Sequence, residues 1–222
     1  MRLNARMLAA AAAGFAAAAG AQEMVEVKIQ YPRPSFESAP DEIKGALNLE
    51  PPRGGKPYDP IRVPAGCEKP ISLNCKVTSS DPSPARGELS FITDGDKERD
   101  SYVTLAPGLQ WVQVDLGKTC VVYGICLWHR FGGAPPRVYL DMVCQISDDP
   151  DFFEGVVTVF NNDHDDSAKL GAGKDFEYIE TFTGRPIPVD AVKGRYVRFY
   201  SRGNTREEVN HYTEIEVYGK GE

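Results

Sequence analysis

Basic side chains are in short supply: 25 Lys and Arg stand against 32 Asp and Glu among 222 residues, a formal charge of −7. Nucleic acid and anionic membrane surfaces are recognised through basic patches, so neither fits as the expected partner. Beyond residue 21 no apolar run approaches the ~20 residues of a membrane-crossing helix, so no transmembrane segment is expected. Convincing amphipathic helices are missing as well. Histidine occurs only as His129, His164 and His211, far apart in the chain, and neither HExxH nor GxSxG occurs. A three-His metal site would need three separate loops to converge. Leu170-Gly171-Ala172-Gly173-Lys174 lacks the spacing of a phosphate-binding loop, and no spacing of acids marks a glycosidase pair. The chain is therefore expected not to be an enzyme.

What is present begins with a leader. Arg2 and Arg6 precede an apolar, Ala-rich run from Met7 to Ala19, and Ala19-Gly20-Ala21 gives a small-x-small site before Gln22. Charge, apolar stretch and cleavage site in that order predict a secretory signal peptide over residues 1–21, rather than an Ala-rich structural helix. A secreted, periplasmic or extracellular protein beginning at Gln22 is expected. Export permits disulfides, but the count of cysteines is odd: Cys67, Cys75, Cys120, Cys126 and Cys144. No spacing is CxxC. Cys126 and Cys144 sit in apolar runs and read as small buried hydrophobes. Cys67 and Cys75 flank a turn-rich stretch and are the better disulfide candidates.

Residues 22–66 hold Pro32, Pro34, Pro40, Pro51, Pro52, Pro57, Pro60 and Pro64, with Gly54-Gly55 between them. Proline fixes φ and removes a donor, which excludes a long helix or a central strand here. An extended Pro-rich arm is expected, with Ile29, Tyr31, Phe36, Leu47 and Leu49 favouring partial docking. Residues 67–222 read as short β-runs between turns. Val112, Val114 and Leu116 alternate on one face of a strand ended by Gly117. Further strands are expected over 121–131, 138–147, 156–160, 196–200 and 215–218. Many short strands without helices predict an all-β sandwich or barrel.

Three segments in order then resemble the discoidin domain, or coagulation factor 5/8 type C domain, over about Ile71 to Gly219. Val77-Thr78-Ser79-Ser80 leads to Ile92-Thr93-Asp94-Gly95-Asp96; Trp111 to Gly117 follows the pattern W-hydrophobic-x-hydrophobic-D-L-G; Arg195 to Phe199 and Glu214 to Gly219 look like the closing strands. The resemblance implies a jelly-roll β-sandwich of the galactose-binding type with about eight strands. Its members bind glycans, lipid headgroups or proteins.

Two sites are expected. Calcium prefers about six to eight oxygens, from carboxylates and from carbonyls in tight turns. Asp94-Gly95-Asp96 offers two carboxylates around a glycine. The resemblance adds the carbonyls of Phe91 and Thr213 and the carboxylate of Glu214, in a structural role that pins the first loop to the last strand. Where the family carries a Thr ligand this chain has Arg99, with Asp100 or Ser101 nearby; the alternative is a plain Asp-Gly turn. The second site is a polar recognition surface at strand ends: Trp128, His129, Arg137 and Tyr139 around one turn, and Asp163 and His164 in the loop Asn161–Asp166. Aromatic faces stack on sugars while Arg, His and carboxylates reach hydroxyls. Each of these side chains is equally suited to a core or a solvated turn. The expected function is non-catalytic binding of a glycan or cell-surface polysaccharide. The alternative is an adhesion domain that holds an envelope protein through the arm and a loop face.

Overall fold

The computed structural model describes residues 22–35, 43–54 and 56–222. The expected leader and Phe36 lie outside the described residues. Ten strands are formed among them: β1 (Met24–Glu26), β2 (Arg62–Pro64), β3 (Lys76–Ser79), β4 (Val103–Pro107), β5 (Gln110–Trp128), β6 (Val143–Ser147), β7 (Val157–Asn161), β8 (Arg185–Ser201), β9 (Val209–Tyr212) and β10 (Glu214–Gly221). A 3-10 turn over Leu89–Thr93 is the one helical element among the described residues. The fold is an all-β sandwich, and its eight strands β3–β10 lie within residues 67–222.

The strand expected over 111–116 does not end at Gly117; with the next one it forms the 19-residue β5. Gly117 takes φ +80°, and its N–H donates to Asp115 Oδ1 at 2.8 Å. The register against β8 slips between Asp115 and Cys120, and there the pair turns the corner of the sandwich. Val112, Val114 and Leu116 before the corner and Val122, Ile125 and Leu127 after it face a single core. Each such buried side chain contributes ~1.5–3 kcal/mol of hydrophobic stabilisation. The 17-residue β8 follows β5 throughout, with Gln110 opposite Ser201 and Leu127 opposite Arg185. On its other edge β5 pairs first with β3 and then with β10, while β6 and β7 extend the sheet from the second half of β8. The long β5–β8 ribbon therefore belongs to both layers.

Because the ribbon folds over, its two ends meet at one end of the molecule. The Tyr212 hydroxyl lies 2.9 Å from Ser201 Oγ, and the next N–H, of Thr213, donates to the Trp128 carbonyl at 2.8 Å. Segments 129–142, 162–184 and 202–208 gather there. Backbone bonds join Glu180 to Arg137, Arg202 to Leu140 and Asn162 to Met142. The loops carrying the expected recognition residues are thus neighbours.

The Pro-rich arm is laid on the outside of this frame. β1 pairs with β2, and Val27, Ile61, Val63 and Cys67 pack with Cys126, Trp128, Phe131 and Tyr218 in a second hydrophobic cluster. Ile29 packs beside that cluster, Tyr31 meets Phe182 edge-on at 6.4 Å, and Leu47 stays exposed. Cys67 and Cys75 are not bonded to one another: Cys67 belongs to the second cluster, whereas Cys75 packs against the first. Cys126 and Cys144 are wholly buried thiols.

Candidate functional site

Past Trp128 the chain turns inward rather than outward. Trp128 is 0% exposed, and its indole Nε1 donates to the Phe182 carbonyl at 3.1 Å. A ring enclosed on every side offers no face to a sugar, so the expected stacking platform is a core residue. His129 is equally buried. Its Nδ1 lies 2.9 Å from Glu180 Oε2, and its ring stacks on Tyr139 with centroids 4.0 Å apart. The Tyr139 hydroxyl lies 3.0 Å from His211 Nδ1, and His211 Nε2 is 3.7 Å from Glu207 Oε1. Arg137 donates to that same oxygen through Nε at 3.1 Å and Nη2 at 3.0 Å, and to the Gly132 carbonyl through Nη1 at 3.2 Å.

Burial lowers the pKa of His211 to about 4, overriding the pull of Glu207, so the ring is neutral at pH 7. Burial and Glu180 push the Tyr139 hydroxyl upward. His129, Arg137 and Tyr139 therefore form an internal polar frame, not a contact surface. Glu207, with about a third of its side chain exposed, is where the frame reaches solvent. Glu180 and Glu207 were not singled out in the sequence, since their partners lie in distant segments.

The Asn161–Asp166 loop is held in the same manner. Asn162 Oδ1 accepts from the Met142 N–H at 2.7 Å. Asp163 is fully buried, and its carboxylate accepts from the N–H groups of Ser167 at 3.0 Å and Ala168 at 2.8 Å. Only His164 and Asp165 of this group point into solvent. The carboxylates of Asp141, Asp163 and Asp165 converge to within 4.8 Å. Arg202 Nε and Ser167 Oγ both donate to Asp141 Oδ2, at 2.7 and 2.5 Å. Asp165 is held below the usual carboxylate range, first by its bond with Asp163 and then by the Ser167 N–H.

At the 94–96 turn the chain brings Asp94 and Gly95 against Glu214, but among the described residues the carboxylates of Asp94, Asp96 and Glu214 do not converge to within 4.8 Å of one another. Gly95 adopts φ +85°, open to a residue without Cβ, and its N–H donates to Glu214 Oε2 at 3.1 Å. Asp94 and Asp96 each accept from the N–H two residues on, at 2.8 and 2.9 Å. Glu214 is 1% exposed; burial, then Glu216 and Asp94, raise its pKa to about 9 despite the Gly95 bond. Glu216 is engaged by Lys97 Nζ and the Tyr218 hydroxyl, both at 2.6 Å. Thr213 Oγ1 is buried without a partner. Glu214 is thus a buried carboxylate that faces the acids Asp94 and Glu216. Arg99 stands apart from it, against Gly132.

No protein-family model matches the chain, and no curated protein matches it. Solved structures do. A family 89 glycoside hydrolase from Clostridium perfringens, in complex with its substrate GlcNAc-alpha-1,4-galactose, aligns with TM-score 0.52 and 19% identity over 69% of this chain. The alignment takes in 15% of that enzyme, so the chain spans only a small part of its length. Chitosan-binding module 1 from the chitosanase/glucanase of Paenibacillus sp. IK-5 aligns with TM-score 0.50 and 23% identity, over 68% of this chain and 98% of the module. At these identities the likeness establishes the fold: a β-sandwich of the kind built by carbohydrate-binding modules.

Proposed function

We propose that the chain is an exported, non-catalytic glycan-binding module of the discoidin type, stabilised by calcium. The observation that carries this proposal is the loop end of the sandwich. There the buried His129–Glu180, Tyr139–His211 and Arg137–Glu207 contacts hold three loops in fixed positions under a polar surface. A pre-set surface loses little freedom on binding, which suits weak ligands such as sugars. The likeness in fold to a chitosan-binding module supports the same assignment. Catalysis has little to work with at this end: His129 and His211 are internal, and Asp163 spends its oxygens on backbone N–H groups. Val27, Ile61 and Val63 of the arm face the domain, while Met24, Tyr31 and Leu47 stay exposed.

Calcium is assigned to the carboxylates of Asp94, Asp96 and Glu214 and the carbonyls of Phe91 and Thr213. Its charge would replace the proton on Glu214 and tie the first loop to β10. Two measurements test the proposal. A glycan array on the mature protein, followed by calorimetry and product analysis, should find a bound glycan that is not turned over; cleavage of the glycan would refute the binding-only role. Intact mass of the exported protein should place the first residue at Gln22, and a retained Met1 would remove the export assignment.

A further inference from the structure

Five arginines gather at the loop end around one partly exposed carboxylate. Arg130 Nη1 lies 3.6 Å and Arg137 Nη2 3.0 Å from Glu207 Oε1. The guanidinium groups of Arg86 and Arg130 both lie over the Tyr102 ring, at 4.0 and 4.6 Å from its centroid. Tyr102 in turn meets His211 edge-on at 5.4 Å, which ties these arginines to the buried frame. Arg86 donates to the Tyr102 hydroxyl at 2.7 Å and to the Asp100 carbonyl at 2.9 Å. Arg99 and Arg206 stand against the Gly132-Gly133 turn. A Cβ built on Gly132 would lie 3.4 Å from Arg99 Nε, and one on Gly133 would lie 3.0 Å from Arg206 Nη1. Arg206 Nη1 also donates to the Pro135 carbonyl at 3.3 Å.

The charges in this cluster do not balance. Glu207 is already engaged by Arg137 and Glu98 is paired with Arg33, while Asp100 and Glu208, exposed close to Arg99 and Arg206 in the chain, form no ion pair with them. Among the described residues Arg86, Arg99 and Arg206 have no carboxylate partner, and all three are exposed. Burial, with Arg137, Arg130 and Arg99 nearby, pushes the Arg206 guanidinium below its ordinary value. A chain of net charge −7 thus gathers these arginines beside the buried frame of its loops. Guanidinium groups bind planar or tetrahedral oxyanions through paired N–H bonds. Arg86 and Arg206 are held by the Tyr102 ring and by carbonyls rather than by acids, so their remaining N–H groups are pre-set for an incoming anion.

We propose that Arg86, Arg99, Arg130 and Arg206 read the anionic group, carboxylate or sulfate ester, of an acidic polysaccharide. The proposal rests on the glycan-binding assignment and specifies its ligand class. Tyr102 is 4% exposed, so the sugar is held by charge and hydrogen bonds and not by stacking on that ring.

The test is calorimetric titration of the mature full-length chain with a polyuronate, a sulfated galactan, a neutral galactan and duplex DNA, at low and high salt. Binding to the polyuronate or the sulfated galactan, weakened by salt, supports the proposal; which of the two binds identifies the anion. Arg99→Gln/Arg206→Gln should weaken that binding about tenfold or more at unchanged melting temperature, with partial rescue by Lys at both positions. Lys69→Gln, an exposed change elsewhere, should have no effect. Equal binding of the neutral galactan by wild type and double variant would overturn the acidic ligand class while leaving glycan binding intact. Failure to bind any glycan would overturn both, and DNA bound as tightly as the acidic glycans would overturn the choice of polysaccharide.

Discussion

Gly124 and Ile61 meet with no room for a methyl group between them: a Cβ built on Gly124 would lie 2.2 Å from Ile61 Cγ2. Ile61 belongs to the arm and is wholly buried, whereas Gly124 lies within β5. A glycine in a strand interior costs stability, and its place here is explained by the side chain that uses the space.

Gly124→Ala should therefore lift the arm. Ile61 would lose its seat, at a cost in the range of ~2–5 kcal/mol typical of losing a buried aliphatic contact. The melting temperature should fall, and limited proteolysis should cut residues 22–66 faster than in the wild type. Unchanged melting and unchanged protection would show that the arm is not anchored at this point.

Glu214 gives the metal-free protein an unusual pH dependence. Its folded pKa of about 9 lies above the usual 4.5, so between those values the folded state holds the extra proton and this group's contribution falls as pH rises. In chelator, stability should decline from about pH 5 to pH 9. Calcium should abolish that decline and raise the melting temperature most at the alkaline end. Glu214→Gln should flatten the metal-free profile and remove the calcium response; identical curves with and without calcium would dismiss the ion.

His211 acts in the opposite sense. Its folded pKa of about 4 lies below the usual 6.5, so in that window the unfolded chain binds the extra proton. Stability from this group is present above pH 6.5 and is lost as pH falls toward 4. With calcium bound, acid denaturation followed by near-UV circular dichroism should begin in this window. His211→Asn should lower stability at pH 7 and shallow the acid limb; a limb as steep as that of the wild type would assign the acid sensitivity elsewhere.

The His129–Glu180 pair should matter to folding more than to ligand binding. Both side chains are fully buried, and removing one partner of such a pair typically costs about 3–5 kcal/mol. Glu180→Ala should therefore lower the denaturation midpoint sharply, and Glu180→Gln, which keeps an acceptor for the imidazole, should do less harm. A well-folded Glu180→Ala protein that had merely lost glycan affinity would contradict the internal frame.

The layout of strands was legible because alternation is a local signal. Val112, Val114 and Leu116 point to the core as the sequence pattern requires. The joining of two expected strands into β5 was not legible, since Gly117 reads as a terminator whether the chain stops or turns a corner. Nor could the sequence separate a surface Trp128 or His129 from a buried one. Their burial depends on Ile61 and Glu180, which arrive from the arm and from a loop far along the chain. The arginine cluster is hidden for the same reason: Arg86, Arg99, Arg130 and Arg206 are scattered through an acidic chain and meet only in the fold.

The β5–β8 ribbon also sets a timetable. Gln110 waits for Ser201, and the two layers share the strands on either side of their common corner. Neither layer can close before nearly the whole chain has been synthesised, and pairing at such separation is slow. A nascent chain of this design stays a thread for as long as it is being made. That is the unfolded state that the export proposed above would require.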